Sequence, residues 1–404
     1  QGVSSAASDV YKRQGHDGGM IQAFAGAALL AFGAIAVAVG ALPVAAAEQI
    51  ADRVWPVLVF VVAITVVARL AAEAGVFSVV AAALARLARG RIILVWLLIV
   101  ALATVSTAFL SLDTTAVLLT VVVVGLARTH RLPVEPFALA TVWIAHTGSL
   151  FFPVSNLTNL LSMHALGDPS PWAFFALLAP SGAIALAVSV LLLWVLYRRE
   201  LRGRFDVVVE RRPDDPVLFW GAVVIVVVLL PLLVSGIEPW MPSACAAALL
   251  TALTAWRRRT ALTVALLPWQ LVVFVSGLFL AVAALEAMGI QAVLTALAGT
   301  GNDATALTRL AAVGGGAANL VNNLPAYLAL EPTTVSDPLR IAALLIGVNV
   351  APLVLPWGSV ATLLWHARLR EAGETVSWGR FCRRGLILVP LATVGALAPL
   401  LIHR

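Results

Sequence analysis

Charge is scarce in this chain. Of 404 residues only 11% are Asp, Glu, Lys or Arg, while 61% are apolar. A soluble domain averages about 25% charged residues, so a single water-facing domain is excluded. Lysine is scarcer still, since Lys12 is the only one and the remaining Lys/Arg positions are all arginine. The arginines gather in clusters between apolar runs. The net charge of +6 therefore reads as the positive-inside pattern of a membrane protein and not as a nucleic-acid surface. The two cysteines, Cys245 and Cys382, form no disulfide framework, CxxC motif or metal cluster. A phosphate loop and a nucleophile–base pair are both missing, which excludes an enzyme. No metal and no cofactor are expected.

What the chain has in quantity is apolar sequence, in successive runs of about 20 residues, the length that spans a hydrocarbon core. The fold class is therefore an all-α polytopic protein of the cytoplasmic (inner) membrane. Residues 1–19 are polar and contain the single lysine; they read as a non-native or disordered tail, with Met20 as the natural start. Placing every arginine cluster in the cytoplasm, from Arg86/Arg89/Arg91 to Arg380/Arg383/Arg384, gives one consistent path with the N-terminus inside and the C-terminus outside. Spans 21–46 and 53–72 come first, and 76–89 is a short helix at the inner surface.

Segment 92–127 begins and ends beside cytoplasmic arginines, which predicts a re-entrant hairpin with its turn near Ser111-Leu112-Asp113-Thr114. Residues 135–166 cross the membrane with a break at Phe152-Pro153-Val154-Ser155-Asn156, and 171–197 returns. A cytoplasmic linker, 198–216, and one extra span, 217–235, reset the orientation. The second half repeats the plan upside down. It has a hairpin over 304–331, with its turn near Asn319 to Pro325, and a broken helix over 338–368, interrupted at Leu355-Pro356-Trp357-Gly358-Ser359. Aligned on the prolines, Ser155 and Asn156 fall on Gly358 and Ser359. The chain thus divides into two inverted-topology repeats, 20–197 and 217–404, each with a re-entrant helical hairpin and a discontinuous transmembrane helix. Non-helical backbone at membrane depth survives only where it is buried in protein or lines a wet cavity. Two such breaks in corresponding places point to a transporter with its site between them.

Four polar tips are expected to converge: Ser111/Asp113/Thr114/Thr115, Ser155/Asn156/Thr158/Asn159, Asn319/Asn322/Asn323 and Gly358/Ser359/Thr362. Helix ends expose N–H and C=O groups whose partial charges hold an anion or a hydroxyl, and Asn, Ser and Thr add donors and acceptors. The candidate substrate-binding residues are Asp113, Thr114, Thr115, Ser155, Asn156, Asn322, Asn323, Gly358 and Ser359. Any one Ser or Thr can equally cap or back-bond its own helix. Asp113 is the only carboxylate well inside an apolar run, and an intramembrane acid is costly enough to be a functional candidate by default. A carboxyl in that setting can carry a proton through a transport cycle; its plainer reading is a cap on the second hairpin helix. His146, shortly before the first break, is the second proton-coupling candidate, against the plainer reading of a packed neutral histidine. Glu286 follows an apolar span and reads as an outer-surface residue. No Lys or Arg falls in any tip, which favours a neutral or weakly charged substrate.

Three stretches carry a family resemblance. Ser155-Asn156-Leu157-Thr158-Asn159, Val321-Asn322-Asn323-Leu324-Pro325 and Gly358-Ser359-Val360-Ala361-Thr362-Leu363-Leu364-Trp365 are similar to motifs of the arsenical pump membrane proteins. These are the arsenite efflux permeases of the ion-transporter superfamily, related to the divalent-anion/sodium symporters. The resemblance covers essentially all of residues 20–404. It implies a secondary carrier that exports arsenite or antimonite in exchange for protons, in some members with a soluble ATPase subunit, and a homodimer where such carriers pair through scaffold helices. The alternative within the superfamily is a sodium-coupled anion or carboxylate symporter, or a sodium/proton antiporter. The chain departs from the family pattern in two places. Leu112-Asp113-Thr114-Thr115 stands where the permeases tend to show Asn-Asp-Gly, and Gly347-Val348-Asn349-Val350-Ala351-Pro352 lacks an expected acid.

Overall fold

A computed structural model describes residues 23–206, 213–263 and 266–402; the tail 1–19 and Arg211/Arg212 of the linker lie outside the described residues. Helix α1 (Ala23–Ala38) is followed by α2 (Val44–Glu73). The expected first span, 21–46, therefore stops early. Gly40 takes a positive φ of 78°, and Pro43 stands at the entry to α2, which runs on through Pro56. Helix α3 (Val76–Leu87) leads to α4 (Ile92–Leu110) and α5 (Leu112–Thr129), separated only by Ser111.

The first broken helix comprises α6 (Val134–Thr147), tight 3₁₀ turns at Gly148–Leu150 and Pro153–Ser155, and α7 (Leu157–Ala165). Helices α8 (Pro171–Tyr197), α9 (Pro216–Leu232), α10 (Trp240–Arg257) and α11 (Trp269–Ala287) follow. After the short α12 (Gln291–Ala298) come α13 (Ala304–Val321) and α14 (Asn323–Leu330), separated only by Asn322. The second broken helix is α15 (Pro338–Val350), turns at Ala351–Leu353 and Pro356–Gly358, and α16 (Val360–Glu371). The last span is α17 (Trp378–Ile402).

Two helices form the centre of the molecule. Every residue from Pro136 to Thr147 in α6 and from Arg340 to Val350 in α15 is buried, as a helix apolar on all faces must be. Trp96 of α4 and Trp365 of α16 both donate their indole N–H to α6 carbonyls, at Pro136 (3.1 Å) and Ala138 (2.9 Å). Around this pair α13 packs on α15, α8 packs on α17, and α2 packs on α10.

Helix starts are written in local chemistry. Ser170, Asp215, Asp303 and Asp337 each accept backbone N–H groups at the start of α8, α9, α13 and α15. The ion pairs Glu135–Arg384 (2.7 Å), Arg128–Glu374 (2.8 Å) and Arg257–Asp215 (2.9 Å) join helix ends that carry the arginine clusters. Outside the spans, the Arg257 guanidinium, helped by the N–H of Leu218, holds the Asp215 carboxyl below the usual carboxylate range.

Candidate substrate site

The junctions between α4 and α5 and between α13 and α14 share one unusual backbone conformation. Ser111 has φ 95° and ψ 156°, and Asn322 has φ 87° and ψ 154°. Non-glycine residues rarely enter this region, which costs roughly 1–3 kcal/mol and tends to occur at ligand sites. The breaks match as well. Phe152 (φ −130°, ψ 157°) and Leu355 (φ −112°, ψ 147°) are extended before a proline-led turn, and Asn156 (φ −152°, ψ 148°) and Ser359 (φ −147°, ψ 139°) are extended after it. Asn156 and Ser359 then cap α7 and α16 by accepting from the N–H groups of Thr158 and Ala361.

The structure brings the four tips into a ring of contacts. Helix α4 packs on the Pro153–Ser155 turn, and the start of α5 packs on α16. In the other half α13 packs on the Pro356–Gly358 turn, and α14 packs on α7. Each of these helix pairs, α4/α5 and α13/α14, thus touches one break directly and the far half of the other broken helix.

Individual candidates divide into committed and uncommitted groups. Ser155 Oγ donates to Ser149 O (2.6 Å) and also bonds Phe152 O, while accepting from Phe152 N (3.2 Å). Thr115 donates to Ser106 (2.9 Å), and Thr114 accepts from Ser111 Oγ (3.2 Å). Asn322 donates to Trp357 O (3.2 Å). Gly358 sits under Asn319, whose amide donates to Ala351 O (2.8 Å) and accepts from Leu355 N (2.9 Å). Asp113 and Asn323 make no side-chain hydrogen bond among the described residues. Asp113 is accessible, and it does not cap the helix: Ser111 does, accepting from Thr114 N. A π-helical turn at Thr115–Leu119 follows directly, a local widening that recurs at functional sites.

One residue outside the predicted set ties the site together. Asn349, fully buried near the end of α15, accepts from Asn156 Nδ2 (2.9 Å) and Thr158 Oγ1 (2.8 Å) and donates to Asn159 Oδ1 (2.7 Å). Its carbonyl meets His146 Nδ1 at 2.9 Å, and His146 Nε2 meets Thr362 Oγ1 at 3.2 Å. A carbonyl only accepts, so Nδ1 carries the hydrogen and Nε2 of a neutral ring accepts from Thr362. Both nitrogens of His146 are therefore engaged. Asn349 was legible in the sequence only as the place where an acid was missing.

Beside the first break lies a cavity of about 1380 Å³, walled by Pro153 and Leu161, by Arg53 and Phe60 of α2, by Trp240 of α10 and by Glu286 of α11. At its edge Arg53 pairs with Glu331 (2.5 Å) and reaches Leu161 O (3.4 Å). Glu286 thus lines this cavity. Among the described residues no cluster of His, Cys, Asp and Glu could hold a metal.

Comparison with known proteins covers most of the chain. The citrate transporter (CitMHS) family model matches residues 22–362. The arsenical pump membrane protein of Yersinia enterocolitica is 29% identical over 397 residues, covering 90% of this chain and 91% of its own. That of Escherichia coli K12 is 29% identical over 377 residues, covering 85% and 86%. The putative arsenical pump membrane protein of Bacillus subtilis 168 is 26% identical over 414 residues, covering 90% and 91%. The crystal structure of the Alcanivorax borkumensis YdaH transporter superposes with a TM-score of 0.52 at 15% identity, covering 95% of this chain and 98% of that one. The fold is accordingly that of an all-helical, multi-span membrane protein. The chain belongs to the citrate transporter (CitMHS) family within the ion-transporter superfamily, and it is a membrane transporter rather than an enzyme.

Proposed function

We propose that the protein exports arsenite or antimonite across the cytoplasmic membrane in exchange for protons. The observation that carries this reading is the end-to-end likeness to arsenical pump membrane proteins. The chemistry of the tips supports it: arsenous acid is neutral near neutrality and presents three hydroxyls, which suits a ring of Asn, Ser and Thr groups with helix-end N–H donors. The substrate sits between Asp113, Thr114 and Thr115, Asn156 with the Ser155 backbone, Asn322 and Asn323, and Gly358 with Ser359. Asp113, uncommitted and accessible, carries the coupled proton. His146 serves beside it; to take a proton it must first give up the hydroxyl donated by Thr362.

The architecture behind this reading is two inverted repeats, 20–197 and 217–404, joined by the linker 198–216, with re-entrant hairpins at 92–127 and 304–331. The matched tip and break conformations support it. Positive-inside placement puts the N-terminus inside and the C-terminus outside. A homodimer and a soluble ATPase subunit belong to the same reading, and transport alone requires neither.

A second reading, sodium-coupled symport of an anion or carboxylate, is favoured by the citrate transporter description of the family. The lack of Lys or Arg at the tips weighs against a tricarboxylate. Residues 20–404 reconstituted in proteoliposomes, under an imposed pH gradient with and without sodium, separate the two. Sodium-independent, proton-driven arsenite flux is expected, and Asp113→Asn should abolish uphill movement. Flux that requires sodium, or wild-type uphill movement in the variant, would overturn the assignment.

A further inference from the structure

The offset that lays Pro153 on Pro356 also lays His146 on Asn349, each the seventh residue before its proline, and Asn159 on Thr362, each the sixth after. The side-chain bonds between these positions run crosswise. His146 of the first broken helix bonds Thr362 of the second, and Asn349 of the second bonds Asn159 of the first. All four residues are fully buried. Chance packing has no reason to join the same two positions in both directions, whereas an axis relating the two halves produces this pattern.

We propose that Asn349 and His146 are paired positioning residues: each clamps the half-helix N-terminus beyond the opposite break, and together they fix the orientation of both ends toward the transported molecule. The inference deepens the functional reading above, because it concerns the same site. Asn349 bears the larger part. Its carboxamide accepts from two donors on α7 and donates to a third group, Asn159 Oδ1. Asn159 cannot turn over to compensate, since its own amide donates to Ser149 O (2.6 Å) and Phe152 O (3.1 Å). An ionised carboxylate at position 349 would keep both acceptor roles and lose the donor role, facing an acceptor at hydrogen-bond distance. A protonated carboxyl would restore the donor.

Among the described residues no charged side chain bonds Asn349. Of the elements packed on α15, α6 brings His146 to the Asn349 carbonyl. Arg340 of α15 bonds Gly299 O and Thr333 O, Glu135 of α6 pairs with Arg380 and Arg384 of α17 and, through Arg384, reaches Tyr197 of α8, Arg309 of α13 bonds Leu297 O, and Glu331 pairs with Arg53; Cys382 and Arg383 of α17 make no bond to Asn349. Tyr327 of α14 and His164 of α7 share none of Asn349's bonds.

The test uses Asn349→Asp and Asn349→Leu in the full chain, with melting temperature and arsenite flux followed from neutral to acidic pH. Asn349→Asp should melt several degrees below wild type at neutral pH and close that gap on acidification. Its maximal flux should fall about tenfold or more and recover in parallel. Asn349→Leu should stay low at every pH. An Asp variant that follows wild type throughout, or that is lowered equally at all pH, would overturn the proposal. Should the Asp variant not accumulate, Thr362→Val removes only the other cross-tie at nearly constant shape; lowered melting and maximal flux are expected, and wild-type values in both would overturn the proposal. Melting needs no substrate, so failure here is distinguishable from a wrong choice of transported ion.

Discussion

The two breaks have nearly the same backbone and are held in different ways. The first is stitched by its own side chains: Ser155 and Asn159 bond the carbonyls of Ser149 and Phe152. It is also walled by aromatic rings, with Phe152 4.9 Å from Phe175, 5.3 Å from Phe109 and 5.6 Å from Trp172. The second break has Gly358 where the first has Ser155, and its Trp357 is 53% exposed where Val154 is 1% exposed. Its stitches come from outside, through Asn319 of α13 and Asn322 at the junction of α13 and α14. The turn of the first break carries its own stitches, and Asn349 of α15 ties its far end. The turn of the second break depends on α13 and Asn322 staying docked.

The largest expected effect tests how closely each break is covered by the span that follows it. A Cβ on Gly385 of α17 would lie 1.9 Å from Leu353 O, and one on Gly182 of α8 would lie 3.2 Å from Leu150 Cβ. Gly385→Ala should therefore cost about 3 kcal/mol or more, since backbone must shift, and Gly182→Ala about 1 kcal/mol. Melting temperatures of the purified variants check the order, and equal losses would break the comparison. Next comes the stitching itself. Asn319→Leu removes a donor and an acceptor shared with the second break and should destabilise by about 1–3 kcal/mol. Cysteine labelling near Trp357 should rise with it while labelling near Val154 stays unchanged. Ser155→Ala should do the reverse.

A smaller effect is expected at the cavity edge. Glu331→Gln leaves Arg53 its bond to Leu161 O and removes only the charge, for a loss of about 1 kcal/mol. Thermal melting of the variant against wild type measures it, and an unchanged melting temperature would mean the charge contributes nothing there. The smallest effect lies at Asp215. Its carboxyl is held below the usual range by Arg257, so its contribution is present above the unfolded value of about 3.9 and is lost as pH falls through the lower folded value. Asp215→Asn should flatten the acid limb of the melting curve slightly and leave neutral pH almost unchanged.

Much of this was legible because proline and polar residues inside apolar runs have few explanations. Pro153 and Pro356 marked both breaks, and Ser111 and Asn319–Pro325 bracketed both tips, within a few residues of where the helices part. The early stop of α1 was missed because composition does not register the positive φ at Gly40. The π-turn at Thr115–Leu119 left no compositional mark either. Asn349 was missed for a different reason. A lone Asn within a buried helix has no local pattern, and its importance lies in partners some 190 residues away, at Asn156, Thr158 and Asn159. Extending the proline alignment backward by seven residues would have set it opposite His146.

Gly182 and Gly385 each stand twenty-nine residues after the proline of their break, and they cover Leu150 and Leu353, which each stand three before it. Where α17 crosses the second break, the carbonyl of Leu353 faces a bare methylene, so the helix lies against the break with no side chain between them. One glycine to each break thus lets the following helix serve as its back wall, pressed against the interruption at backbone distance.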